Sequence, residues 1–196
     1  MIRPALVGSL LVALFGCNRS NLVYDKPYFD FDSLVSVQIK LLGQEKDSIK
    51  KTAVMDGKTD VSQFVVDTAS MSNEMEVFRQ LDIMNKPLFK DAYQLHADEK
   101  DDKSNLRVRT YRLKTNADIK SAVPFVRFFY LDDFQQVKKI EAVFEESNSL
   151  YSTHRDLIME FDGAGESARL RRYLISGFQK MTLSDSVKFS IEGRVY

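Results

Sequence analysis

The sequence predicts an α+β fold: an N-terminal helix, a β-hairpin, a second helix, then an antiparallel meander sheet of about six to seven strands with the helices packed on one face. Three observations predict it. Apolar residues recur at intervals of three and four near residues 31–42 and 71–81, the spacing of one helical face. Asp56-Gly57 sits between two short apolar runs, and both residues tolerate the positive φ that a two-residue hairpin turn needs. From Asp91 onward the apolar period falls to two, the period of a strand with one face buried.

The elements follow in order. Phe31, Leu34, Val35, Ile39, Leu41 and Leu42 define a helix from about Asp32 to Leu42, opened by Asp30 or Asp32 as a cap and closed at Gly43. Strands flank the Asp56-Gly57 turn. Met71, Met75, Phe78 and Leu81 form the stripe of a second helix, and such a stripe is core rather than a cofactor box. Pro87 stops it. Seven strand-like segments follow, from "DAYQLHA" to "SVKFSIEGRVY", separated by short polar links that favour antiparallel pairing. In the last of them, Val187, Phe189, Ile191 and Val195 point one way and Lys188, Ser190, Glu192 and Arg194 the other. "VPFVRFFYL" is apolar on both faces: Phe125 and Phe129 on one, Val126, Phe128 and Tyr130 on the other. That marks a strand whose second face is also covered.

Composition narrows the function. The chain has 196 residues with 28 basic and 28 acidic side chains, so no basic excess points to nucleic acid. Eight glycines and four prolines are too few for long low-complexity segments. Residues 28–196 suit a single domain.

The N-terminus carries a separate signal. Met1-Ile2-Arg3 is a short positive start, and Pro4 to Phe15 is apolar apart from Gly8 and Ser9, the pattern of a secretory signal peptide. The run falls short of the roughly 20 apolar residues that span a bilayer. Cys17, the single cysteine, has no partner for an internal disulfide. Leu14-Phe15-Gly16-Cys17 resembles the lipobox of bacterial lipoproteins, with Phe15 bulkier than the usual residue at its place. The resemblance implies that residues 1–16 are a cleaved lipoprotein signal peptide and that lipid is attached at Cys17. Residues 17–27 are then a lipidated tether to the membrane. Two lipid signals already anchor a protein stably, at about 0.8 kcal/mol per buried methylene.

Four further stretches, "KPYFDFDSLVSVQIKLL", "FRQLDIMNKP", "NSLYSTHRDLIMEF" and "YLISGFQKM…VKFSIEGRV", resemble small uncharacterised outer-membrane lipoproteins of Bacteroidota. That group has an N-terminal helix and a strand-rich second half ending in an Ile-x-Gly strand. The resemblance implies a lipid-anchored place at the cell outer membrane, on its periplasmic or outer side. It carries no reaction and no catalytic residues.

Chemical signatures are sparse. His96 and His154 have no second histidine or cysteine at ligand spacing, so no metal site is expected. No serine sits in a Gly-x-Ser-x-Gly elbow. "DGAGESA" lacks the spaced ligands of a calcium loop and reads as a tight turn. Asp132-Asp133 and Glu145-Glu146 are adjacent, so on a strand each pair splits between two faces. Neither a cofactor nor a catalytic residue is expected. Arg107 and Arg109 share a strand face, and with Arg127, Arg155 and Arg171 they are candidates for an anion patch. The competing reading is a solvated face balanced by Glu141, Glu145 and Glu192. Phe125, Phe128 and Tyr130 are the candidate ligand face.

The expected function is a non-enzymatic accessory or binding lipoprotein of the cell envelope, with a protein partner or a lipid ligand and no nucleic acid. The alternative is a carrier of lipid or another hydrophobic ligand, similar in outline to the lipoprotein-localisation factors. A hydrolase built from scattered residues is the third reading.

Overall fold

A computed structural model describes residues 25–115, 119–163 and 165–196. The expected signal peptide 1–16, Cys17 and most of the expected tether lie outside the described residues. Among the described residues the fold is α+β, with two α-helices and one sheet of nine antiparallel strands.

Helix α1 spans Phe31–Glu45. Asp30 caps it by accepting from the Ser33 amide at 2.9 Å. The helix runs past the expected end at Gly43 and stops at Lys46, which takes the left-handed conformation with φ 55°. Gly43 is held inside the helix, where even a Cβ would sit 3.4 Å from Thr68 of the second helix. Strands β1 (Ser48–Met55) and β2 (Lys58–Val65) form the hairpin. Asp56 and Gly57 have φ of 47° and 81°, as the turn type requires. Helix α2 spans Thr68–Arg79, capped by Asp67. It is shorter than its apolar stripe, because Leu81 falls in a 3-10 segment over Gln80–Asn85. A further 3-10 turn covers Pro87–Phe89.

The remaining strands are β3 (Tyr93–Lys100), β4 (Arg107–Leu113), β5 (Phe125–Tyr130), β6 (Val137–Ser147), β7 (Tyr151–Asp162), β8 (Arg169–Met181) and β9 (Ser186–Val195). They form a continuous antiparallel meander. The expected count of six to seven strands is too low because the hairpin is not separate. β1 pairs with β9, Ile49 opposite Val195 and Ala53 opposite Ile191, giving the order β2-β1-β9-β8-β7-β6-β5-β4-β3. A two-stranded hairpin is marginal alone. Adding it to the sheet buries Ile49 completely and packs Phe64 against the core.

Register assigns the faces. Phe128 lies opposite Ile140, Ile140 opposite Met159, and Met159 opposite Tyr173. This row belongs to the same core cluster as Phe31, Val35 and Leu42 of α1 and Met71, Met75 and Phe78 of α2, so both helices pack on one face. We call it the inner face.

Gly193 explains how the helices are fixed there. It lies opposite Tyr173 on one side and Lys51 on the other. A Cβ at Gly193 would meet the Tyr173 ring at 2.1 Å, so the ring lies over the glycine backbone. Glu74 of α2 reaches down to both neighbours. It accepts from the Tyr173 hydroxyl at 2.7 Å and pairs with Lys51 Nζ at 2.7 Å. Burial and the Glu74 carboxylate both push the Tyr173 phenol above its ordinary pKa. Gln38 makes a second tie: its side chain donates to Ala168 O and accepts from Leu170 N, at 2.9 and 2.7 Å. Gly193→Ala should force the Tyr173 ring aside and cost about 1–3 kcal/mol of stability. Urea unfolding measures this, and adding Tyr173→Ala should make the Gly193→Ala step nearly neutral.

Candidate functional site

With both helices on the inner face, the outer face of the sheet carries the unassigned side chains. On β5 strict alternation sends Phe125, Arg127 and Phe129 outward and Val126, Phe128 and Tyr130 inward. The three candidate ligand-face residues therefore do not share a face. Phe128 and Tyr130 are buried, and Phe128 packs against Phe29, Phe31 and Phe134 with ring centroids 4.6, 6.0 and 5.4 Å away. Phe125 alone faces outward.

The arginines separate in the same way. Arg107 and Arg109 lie on the inner face at the β3–β4 end of the sheet, and Arg127 lies on the outer one. Arg107 is 3.8 Å from Asp98, and Asp98 accepts the Tyr130 hydroxyl at 2.7 Å. Arg109 lies flat over Phe134, 3.8 Å from the ring centre. Arg155 donates to Gln80, and Arg171 pairs with Glu160 and Asp162. These five arginines do not form one patch. The balancing acids are engaged as well: Glu141 with Arg127 and Lys139, Glu145 with His154, Glu192 with Arg172 and Arg194.

A different arrangement crosses β4, β5 and β6 on the outer face. Arg112 lies over Phe125, to which it is directly opposite, at 5.4 Å. Arg127 lies between Phe125 and Phe129, at 5.3 and 5.9 Å. Lys139, opposite Phe129, sits 3.8 Å over its ring. Glu141 receives Arg127 at 2.8 Å and Lys139 at 2.9 Å, holding both cations in place. Phe129 is only 4% exposed although no helix covers it. Long cationic stems cover the apolar surface while their charged ends stay in water. Ring faces attract such cations, so the pairs are favourable and preformed.

This row runs into a cleft of about 1010 Å³ lined by Arg112, Lys120, Ser121, Glu145, His154 and Phe178 among others. Its wall is the segment leading into β5. Tyr93 holds that segment, donating to Val123 O at 2.7 Å and lying 2.7 Å from Ser121 Oγ. The Glu145 amide donates to Ala122 O at 2.7 Å from the other side. Inside the cleft, His154 stacks on Phe178 with centroids 5.9 Å apart and planes within 9°. Its Nδ1 meets Glu145 at 2.9 Å and its Nε2 meets Asp156 at 3.3 Å. Carboxylates flank both ring nitrogens and Phe178 backs the ring, so the imidazole is held in one orientation. Phe178 is 38% exposed. Among the described residues no group of three or more His, Cys, Asp or Glu could hold a metal ion, and no helix is long and apolar enough to cross a membrane. The arrangement can bind by stacking, by cation–aromatic contact and by charge.

The only sequence signal for this row is the alternation of Phe and Arg in "FVRFF", with Arg112 and Lys139 at the matching places on the neighbouring strands. No protein-family model, no curated protein and no solved structure matches this chain.

Burial pushes the Tyr93 phenol from 10.0 up to about 12. Between those values the unfolded chain has lost a proton that the folded chain keeps, so stability falls as pH rises through that window. The urea midpoint should drop from about pH 10 upward, and Tyr93→Phe should make the drop shallower.

Proposed function

We propose that this protein is a membrane-anchored, non-enzymatic binding protein of the bacterial cell envelope, and that its outer sheet face holds a protein partner. The Leu14-Phe15-Gly16-Cys17 lipobox supports the anchor and the outer-membrane address. The observation that carries the binding role is the row of Arg112, Arg127 and Lys139 laid over Phe125 and Phe129. Arginine and aromatic side chains are the residues enriched at protein interfaces and at their energetic centres. Here they are ordered before any partner arrives, which lowers the entropy cost of association. The three cations against Glu141 favour an acidic partner segment.

The carrier reading has less support. It needs an apolar cavity between helices and sheet, and Phe128 and Tyr130, which would line it, are fully packed. The hydrolase reading has no support beyond His154 in the cleft, whose ring nitrogens both face carboxylates.

A photo-cross-linking residue placed at Phe125 or Arg112 should capture one dominant protein adduct in whole cells. The same residue at Lys40, exposed on α1, should capture none. Adducts of equal yield from both faces, or from neither, would remove the outer face as the binding surface.

A further inference from the structure

The chain enters the domain beside a surface suited to lipid. Lys26 is pinned by Asp30 at 2.6 Å and Asp82 at 3.0 Å. Two residues on, the Tyr28 amide donates to Asn85 Oδ1 at 3.0 Å and its hydroxyl donates to Phe89 O at 3.0 Å. The Tyr93 amide donates back to that hydroxyl at 3.2 Å. Asn85 and Phe89 bracket Lys86-Pro87-Leu88, so the entry point is fastened on both sides of that turn.

The turn itself is unusual. Phe89 is buried, yet Leu88 stands 66% exposed at its tip. Lys86 and Lys90 flank it, both exposed. Leu88, Lys90, Lys114 and Ile119 share one shallow groove of about 370 Å³. Lys114 donates to the Asp91 carbonyl at 2.7 Å. Among the described residues, none of Lys86, Lys90 and Lys114 makes an ion pair, whereas Lys26 close by makes two. Asp91 is the acid within the turn, and Asp25 and Asp82 lie on the entry side.

We propose that the Lys86–Lys90 turn, with Lys114 beside it, rests on an anionic bilayer surface, with Leu88 inserted among the headgroups. The inference rests on the lipoprotein reading and extends it from an anchor to an orientation. Cys17 is eight residues before Asp25, a span of at most about 29 Å when fully extended. A domain tethered that closely meets the membrane with the surface around its entry point. Basic side chains are drawn to anionic headgroups, and an apolar side chain among them adds burial.

The chain contains no tryptophan, so a single substitution gives an unambiguous reporter. The intact protein, purified in detergent from the membrane of the cells that make it, is reconstituted into vesicles of phosphatidylcholine with phosphatidylglycerol. Leu88→Trp should then emit to the blue of its value in detergent-free buffer and be quenched by brominated lipid. Val65→Trp, at the opposite end of the strands on the β2 edge, where the valine is 57% exposed, should do neither. Adding Lys86→Glu and Lys90→Glu should abolish the Leu88→Trp shift and quenching. If the protein carries acyl mass on Cys17 but Leu88→Trp is quenched no more than Val65→Trp, the orientation is wrong and the anchor stands. If no acyl mass is found, the lipoprotein reading fails and this inference fails with it.

Discussion

The architecture turns on one carboxylate. Glu74 is a residue of α2, yet its two oxygens are spent on Lys51 of β1 and Tyr173 of β8. Those strands are not neighbours; β9 lies between them, and only a glycine at position 193 leaves room for the reach. Because Glu74 is mostly shielded, at 15% exposed, losing either partner would leave a charge or a phenol poorly satisfied. One side chain thus clips the helix layer to two strands, β8 and β1, across β9, and so ties in the hairpin that would otherwise be marginal. At the other end of the sheet the clip is apolar: Phe29, Phe31 and Phe134 close around Phe128.

Fixing the helices to the inner face leaves the outer face to solve its own burial. Val108, Thr110 and Phe129 are 7%, 6% and 4% exposed there without a helix above them. Neighbouring stems do the covering. An alternation of Phe and Arg on β5 places each guanidinium next to a ring, and Lys139 and Arg112 complete the row from the adjacent strands. Such a surface is stable in water yet retains polarizable, charged groups at its top. The ends of the sheet are managed unequally. The β3 edge is broken by a register shift between His96 and Glu99, with Asp98 at φ 60°. β2 pairs with β1 without a break. Bulges of the first kind protect an edge from adding strands.

Much of this was readable in the chain. Asp56-Gly57, the two helical stripes and the period-two segments each correspond to an observed element, because each is a local signal backed by burial. What failed was non-local. Nothing in residues 48–65 says that the hairpin will pair with the last strand, where Met55 meets Phe189 and Ile49 meets Val195, so the sequence predicts a smaller sheet. Gly43 is a good stop signal, but the helix continues through it to Glu45, and the left-handed turn falls at Lys46 instead. The candidate site was read less well than the fold. Alternation along β5 sends Phe125 outward and Phe128 and Tyr130 inward, so these three residues form no common face. Gly193 had a usable signal: a glycine inside an alternating strand marks a close approach. The clamp on His154 depends on Glu145 crossing from β6, which becomes legible only once the turn after Ser147 sets the register.

The account holds that this is an anchored binding protein. The native mass spectrum of the intact protein, taken from its own membrane in mild detergent, tests that most directly. The account predicts a chain beginning at Cys17 with the mass of attached acyl groups, accompanied by a stoichiometric protein partner that is lost on Arg127→Glu with Lys139→Glu. A chain without acyl mass, or an acylated chain that carries a stoichiometric lipid ligand and no protein, would contradict it.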